Sequence, residues 1–115
     1  MIWTLTQVAI GGAVGSALRF GAVAAIGAPI GVMVVNVIGS FVIGMGFVLL
    51  EARLSPLLMT GVLGGFTTFS AFSLDALKLW EAGQGLTTAV YVAGSVVLSL
   101  VAVALGAGLA RGVFG

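Results

Sequence analysis

The sequence contains no cysteine and no histidine, and it has only four Lys or Arg and three Asp or Glu residues. Without Cys and His, disulfides, thiol nucleophiles, the usual zinc ligands and histidine proton shuttles are excluded. Charged residues make up 6% of the chain, compared with roughly 25% of an ordinary soluble domain. A soluble fold could not cover its surface with so few charges. A net charge of +1 also provides no basic patch for nucleic acid, so we expect an integral membrane protein that binds none.

Four apolar segments are each long enough to cross about 30 Å of hydrocarbon, which takes roughly 20 helical residues. They cover residues 3–25, 29–50, 56–80 and 86–109. The most polar connection is Glu51–Pro56, where Ser55 and Pro56 are typical of a helix N-cap and first helical residue. We therefore predict an all-α, multi-pass protein of the cell (inner) membrane, with residues 1–115 forming a single membrane domain in contact with lipid.

Lys and Arg are divided evenly between the two sides of the membrane. With four spans, one side carries Arg53 and Arg111, and the other carries Arg19 and Lys78 near span ends. An excess of Lys and Arg normally sets orientation, and this chain has none. Either so short a chain has too few charges for the count to matter, or the protein inserts in both orientations.

The spans are rich in glycine, and several small residues are spaced four apart. Such pairs allow close approach of helix backbones, which is ordinary in membrane proteins. The pairs are Gly11 with Gly15, Gly12 with Ser16 and Gly61 with Gly65. Four helices have little interior for polar groups, however, and many transporters contain inverted repeats. A homodimer of oppositely inserted subunits would provide that symmetry.

Several polar residues fall inside the spans. Asn36 lies about 10 Å into the second span, where an unsatisfied amide costs several kcal/mol, so it must face a partner, water or a ligand. Tyr91, Ser95 and Ser99 recur every four residues and share one stripe of the fourth span. These hydroxyls either bond to their own helix backbone or form a continuous polar track.

The third span contains GGFTTFSAF, residues 64–72. Its glycines weaken a helix and its hydroxyls compete for backbone hydrogen bonds, so we predict that the third helix is broken mid-span. Freed carbonyls can hold a small cation and freed N–H groups favour an anion. Phe69 and Phe72 share a face, and the positive edges of their rings attract an anion weakly; the alternative is that they pack in the core.

Two absences narrow the function. No carboxylate lies mid-membrane, which argues against a proton- or cation-coupled exchanger. The hydroxyls have no neighbouring base at depth, which argues against an enzyme. Neutral hydrogen-bond donors and ring edges remain, and these suit passive movement of a small anion.

Four features occur in order along the chain: GGAVGSALRF (11–20), NVIGSFVIG (36–44), GVLGGFTTFSAFS (61–73) and the stripe on the fourth span. With these features the chain resembles the Fluc/CrcB fluoride channels over essentially its whole length. Ala71 departs from the family form, which has Thr. The resemblance implies a channel that exports cytoplasmic fluoride passively, and an antiparallel, dual-topology homodimer with two pores.

The resemblance also implies roles for individual residues. The carbonyls of Gly64 and Thr67 would hold a structural Na⁺ on the dimer axis. Arg19 and Thr68 also match the family, and the role of Arg19 stays open. The anion pathway would be lined by Phe69, Phe72, Asn36, Tyr91, Ser95 and Ser99.

Two other functions are compatible with a short four-span chain. A small multidrug-type exporter is one, but such transporters rely on a carboxylate in the first span, and there is none between Trp3 and Arg19. An accessory membrane subunit without transport activity is the other.

Overall fold

The computed structural model describes residues 1–114, and helices joined by short turns account for most of them. The first two helices are α1, Ile2–Ile26, and α2, Ile30–Leu49. The third crossing consists of two pieces, which we name α3 and α4, and the last helix is α5, Gly85–Phe114. Four helical stretches are long and apolar enough to cross a membrane, which confirms the predicted all-α architecture of four spans.

The third crossing is interrupted, as predicted, but the break lies a few residues later than the glycine pair. The first piece, α3, is π-helical over Pro56–Leu63 and α-helical over Gly64–Phe66. Thr67 and Thr68 are then extended, with φ, ψ of −86°, 156° and −152°, 121°. The second piece, α4, runs over Phe69–Glu81.

Two local expectations are therefore corrected. Gly64 has helical φ, ψ of −63°, −36°, so the glycine pair does not itself interrupt the helix. The break falls where threonine hydroxyls and a neighbouring helix supply replacement hydrogen bonds. Ser55 also has helical backbone angles and makes no capping hydrogen bond; its hydroxyl lies 3.6 Å from the sulfur of Met59.

The glycine pairs bring α1 against α3 within one chain. A Cβ added to Gly11 would lie 2.8 Å from the Cα of Gly61, and one added to Gly65 would lie 2.7 Å from the carbonyl oxygen of Gly12. A Cβ on Gly15 would collide with the carbonyl of Val62. Close helix approach is therefore confirmed for these residues, and it joins two helices of the same chain.

The helices α2 and α5 make the most extensive contact of any pair. Glycine again allows the backbones to approach closely. A Cβ on Gly44 would collide with the carbonyl of Val103, and one on Gly106 with the carbonyl of Phe41. Two tightly packed pairs, α1 with α3 and α2 with α5, thus form the frame. The break between α3 and α4 is positioned by this frame.

Polar contacts tie together the end of the molecule that holds the second loop. The buried Gln7 side chain donates to the carbonyl oxygen of Arg53 at 3.2 Å. The guanidinium of Arg111 lies 5.9 Å from the ring centroid of Phe47, a cation–π distance. The start of α1, the loop and the end of α5 therefore meet at one end of the fold.

Candidate functional site

A groove of about 260 Å³ opens beside the break, between α2, α4 and α5. Most of its wall is apolar, and a few hydroxyl and amide groups face into it, which is the usual character of a ligand site. Its lining residues are Asn36, Gly39, Ser40, Ile43, Thr67, Thr68, Phe69, Phe72, Ser95, Val96 and Ser99. Most residues that the sequence assigned to an anion pathway are thus brought together, although they come from three different helices.

Asn36 is hydrogen-bonded to the break through both ends of its side-chain amide. Its Oδ1 accepts the Thr68 N–H at 2.7 Å, and its Nδ2 donates to the Thr68 carbonyl at 3.0 Å. The expectation that this amide faces a partner is confirmed. Its place on an anion pathway stays a prediction.

Thr68 also begins α4. Its Oγ1 accepts the Ala71 N–H at 3.1 Å, which is an N-cap hydrogen bond of the kind that typically contributes about 1 kcal/mol. Thr67, its neighbour, instead bonds back to the carbonyl of Leu63 at 3.1 Å. The two threonines thus finish one helical piece and start the next.

The break leaves backbone carbonyls without their helical donors. In an unbroken helix the Thr68 N–H would donate to the carbonyl oxygen of Gly64, and the Ala71 N–H would donate to that of Thr67. Those two donors are bound instead by Asn36 and by the Thr68 hydroxyl. The carbonyl oxygens of Gly64 and Thr67 therefore lack their helical donors, because those N–H groups are bonded to other acceptors.

Arg19 donates a hydrogen bond to a third backbone carbonyl at the break, that of Gly65. It lies seven residues before the end of α1, about 10 Å inside the helix, and its Nε donates to the Gly65 carbonyl at 3.2 Å. Intramembrane charges commonly pair with backbone carbonyls and mark functional positions. This contact gives Arg19 a defined partner, which the sequence did not provide.

The two phenylalanines differ in their surroundings. The ring of Phe72 is 7% exposed and lies between Phe69, with centroids 5.4 Å apart, and Tyr91, with centroids 5.3 Å apart. Phe69 is 76% exposed. Phe72 thus both packs in the core and lines the groove, whereas little of its own chain covers Phe69.

The hydroxyl stripe on α5 faces inward along two of its three residues. The hydroxyls of Tyr91 and Ser95 are buried and have no hydrogen-bond partner within the described part of the chain. They do not bond back to their own helix, in contrast to Ser73 and Thr88. Ser95 and Ser99 reach the groove, while Tyr91 stacks behind Phe72.

The structure adds two residues that the sequence reading did not select. Asp75 has a buried, unpartnered carboxylate oxygen and lies close enough to Tyr91 to interact with it. Ser40 lines the groove. Helical spacing could have identified both, because Asp75 is three residues after Phe72 and Ser40 is four residues after Asn36, which places each pair on one face of its helix.

Comparison with known proteins gives a consistent result. A family model described as CrcB-like protein, Camphor Resistance (CrcB), matches residues 6–107. Proteins named fluoride-specific ion channel FluC are similar to this chain over nearly their whole length. They include one from Paracoccus denitrificans, 49% identical over 96% of this chain and 97% of the relative. Another, from Cereibacter sphaeroides, is 50% identical over 97% and 98%, and one from Rhizobium etli is 47% identical over 90% and 93%.

Proposed function

The chain belongs to the CrcB-like protein family, and we propose that it is a fluoride-specific ion channel of a bacterial cell membrane. Fluoride would leave the cytoplasm passively, driven by its concentration gradient and the membrane potential. Relatives that are about half identical over nearly the full chain bear the name of such a channel. We propose no enzymatic activity.

The observation that supports this function best is the row of hydroxyls beside the rings. A small anion that leaves water must exchange its hydration for hydrogen-bond donors, since unpaired charge in a dry site is very costly. The Ser95 hydroxyl has no partner in the described chain and lines the groove with Phe72, while the Tyr91 ring packs on Phe72 with its hydroxyl near Asp75. Ring edges carry partial positive charge. We propose that fluoride passes along these donors and the edges of Phe69 and Phe72, with Ser99 continuing the track.

The groove is open in a single chain, and we propose that a second, oppositely inserted copy covers it. Phe69 and Gly64 are both exposed in the single chain. An antiparallel pair would complete two equivalent pathways and fit the weak bias of Lys and Arg, which is two residues against one when Arg19 is taken as an intramembrane charge. Lipid would cover the remaining apolar surface, including Trp3 and Trp80, which are 72% and 64% exposed and suit the membrane interface.

We further propose a structural Na⁺ at the break. The carbonyls of Gly64 and Thr67 have lost their helical donors, and two copies would provide four such oxygens. Oxygen donors suit a hard cation, and backbone ligands do not titrate. Among the described residues no cluster of acidic or other metal-binding side chains offers an alternative. By bonding Gly65, Arg19 removes a neighbouring carbonyl from the candidate ligands. When bound on the dimer axis, the ion would add a fixed positive charge between the two pathways.

The experiment is fluoride efflux from proteoliposomes that contain the purified protein, with chloride as the control anion. We expect rapid fluoride efflux and little chloride efflux, independent of any proton gradient. Proton-driven uptake of an organic cation without fluoride flux would favour the small multidrug-type exporter. No transport of either kind would favour the accessory subunit.

A further inference from the structure

We propose that Asn36 is a positioning residue for the pathway: it holds the backbone of Thr68 and thereby fixes the ring of Phe69, instead of contacting the anion directly. This inference rests on the proposed function for its meaning, but the contacts that support it are independent of which ion passes. The Asn36 amide then supports the backbone of the groove, while the rings and hydroxyls contact the ion.

Both polar ends of the Asn36 amide are committed to one residue. The oxygen accepts the Thr68 N–H at 2.7 Å and the nitrogen donates to the Thr68 carbonyl at 3.0 Å. This pairing resembles the bridge between two strands, and it fixes which end of the amide is oxygen. One hydrogen of Nδ2 remains, but the side chain cannot turn towards an anion without breaking both bonds to Thr68.

The hold on Thr68 is transmitted to the start of α4. Thr68 is extended and its N–H has no helical acceptor, so the Asn36 side chain supplies one and also donates to the Thr68 carbonyl. Its hydroxyl in turn caps the Ala71 N–H. Phe69, the first residue of α4, lies between these two contacts.

Phe69 depends on this anchor more than Phe72 does. The ring of Phe69 is 76% exposed, and its one aromatic neighbour within the described chain is Phe72. Phe72 is 7% exposed and stacks on Tyr91 as well. Removal of the Asn36 amide should therefore displace the first ring and leave the second in place.

The test combines fluoride efflux with ¹⁹F NMR of the assembled protein, with fluorophenylalanine at position 69 or position 72. In Asn36→Ala we expect most of the fluoride flux to be lost, and the signal from position 69 to shift and broaden. The signal from position 72 should keep its width and shift less, because that ring loses its Phe69 neighbour but stays packed on Tyr91. Ser40→Ala is the matched control, because it removes a groove hydroxyl one turn along α2 that makes no hydrogen bond to the break within the described residues. It should leave both signals unchanged.

A loss of flux with an unchanged signal at position 69 would overturn the proposal and make Asn36 a direct ligand of the anion. If Asn36→Ala does not assemble, Asn36→Leu serves instead, because leucine has nearly the size and shape of asparagine but makes neither hydrogen bond to Thr68. Its signal at position 69 should also shift and broaden, and an unchanged signal with lost flux would count against the proposal. Absence of fluoride flux in the unmodified protein would refute the proposed function, while the NMR comparison would still decide whether Asn36 holds Phe69.

Discussion

Separate replacement of Phe69 and Phe72 by isoleucine distinguishes an ion-contacting role for the rings from simple packing. Isoleucine keeps an apolar side chain but removes the ring edge. Phe72 has ring neighbours at 5.4 and 5.3 Å, and each such pair contributes about 0.5–1.5 kcal/mol beyond area burial. Phe72→Ile should therefore cost about 1–3 kcal/mol of stability. Phe69→Ile loses one pair from a ring that is 76% exposed, so about 0.5–1.5 kcal/mol is expected.

The two interpretations predict different relations between stability and transport. If the rings only pack, Phe72→Ile should be the more damaging change and Phe69→Ile should conduct almost normally. If ring edges contact a dehydrated anion, both variants should lose most of their fluoride flux despite their unequal stabilities. The measurements are fluoride efflux from proteoliposomes, thermal unfolding in detergent, and size-exclusion chromatography for assembly.

Two other phenylalanines serve as controls. Phe20 lies on α1, is 74% exposed and does not line the groove, so Phe20→Ile matches Phe69→Ile in exposure. Phe66 precedes the break and is also absent from the groove lining. Both control variants should conduct. Equal loss of flux from all four substitutions, or a loss that follows stability, would refute the argument and return Phe69 and Phe72 to a packing role.

The remaining predictions concern packing, orientation and the cation. Gly15→Ala should destabilise the protein by about 1–3 kcal/mol through overpacking, because its Cβ would collide with the Val62 carbonyl. Gly12→Ala is the control, since a Cβ on Gly12 has open space. Equal unfolding temperatures for the two alanine variants would contradict this packing. Tagged C-termini should be found on both sides of the membrane, and Lys residues added to the loop at 51–56 should select one orientation and reduce flux; uniform orientation of the unmodified protein would argue against the antiparallel dimer. Fluoride flux should require Na⁺ during assembly without any Na⁺ transport, and full activity after exhaustive removal of Na⁺ would rule out the cation site.

Composition and local pattern determined the class of the protein and the number of its crossings. A charged fraction of 6% and four long apolar segments allow little else, because transfer from water to lipid depends on each residue's own side chain and sums along the chain. The interruption of the third helix was predictable for a similar reason. Gly, Thr and Ser all weaken a helix locally, so their concentration at 64–70 located the break to within a few residues.

The partners of the polar residues could be assigned only from the tertiary structure. Asn36 and Thr68 are 32 residues apart, and Arg19 and Gly65 are 46 apart, so no local pattern specifies either contact. The break falls at Thr67 and Thr68, and not at the glycines, because Asn36 from another helix supplies the acceptor that the Thr68 N–H loses.

The tertiary structure also gives different surroundings to residues that are alike in the sequence. The sequence gives Phe69 and Phe72 one face of one helix, yet their exposures are 76% and 7%. Their difference depends on how closely α4 approaches α5, which places Tyr91 against Phe72 and leaves the start of α4 uncovered. The sequence by itself therefore determined that this chain crosses the membrane four times with a broken third helix. Burial and hydrogen-bond pairing between helices were decided only when the four crossings packed together, because both are properties of pairs of helices.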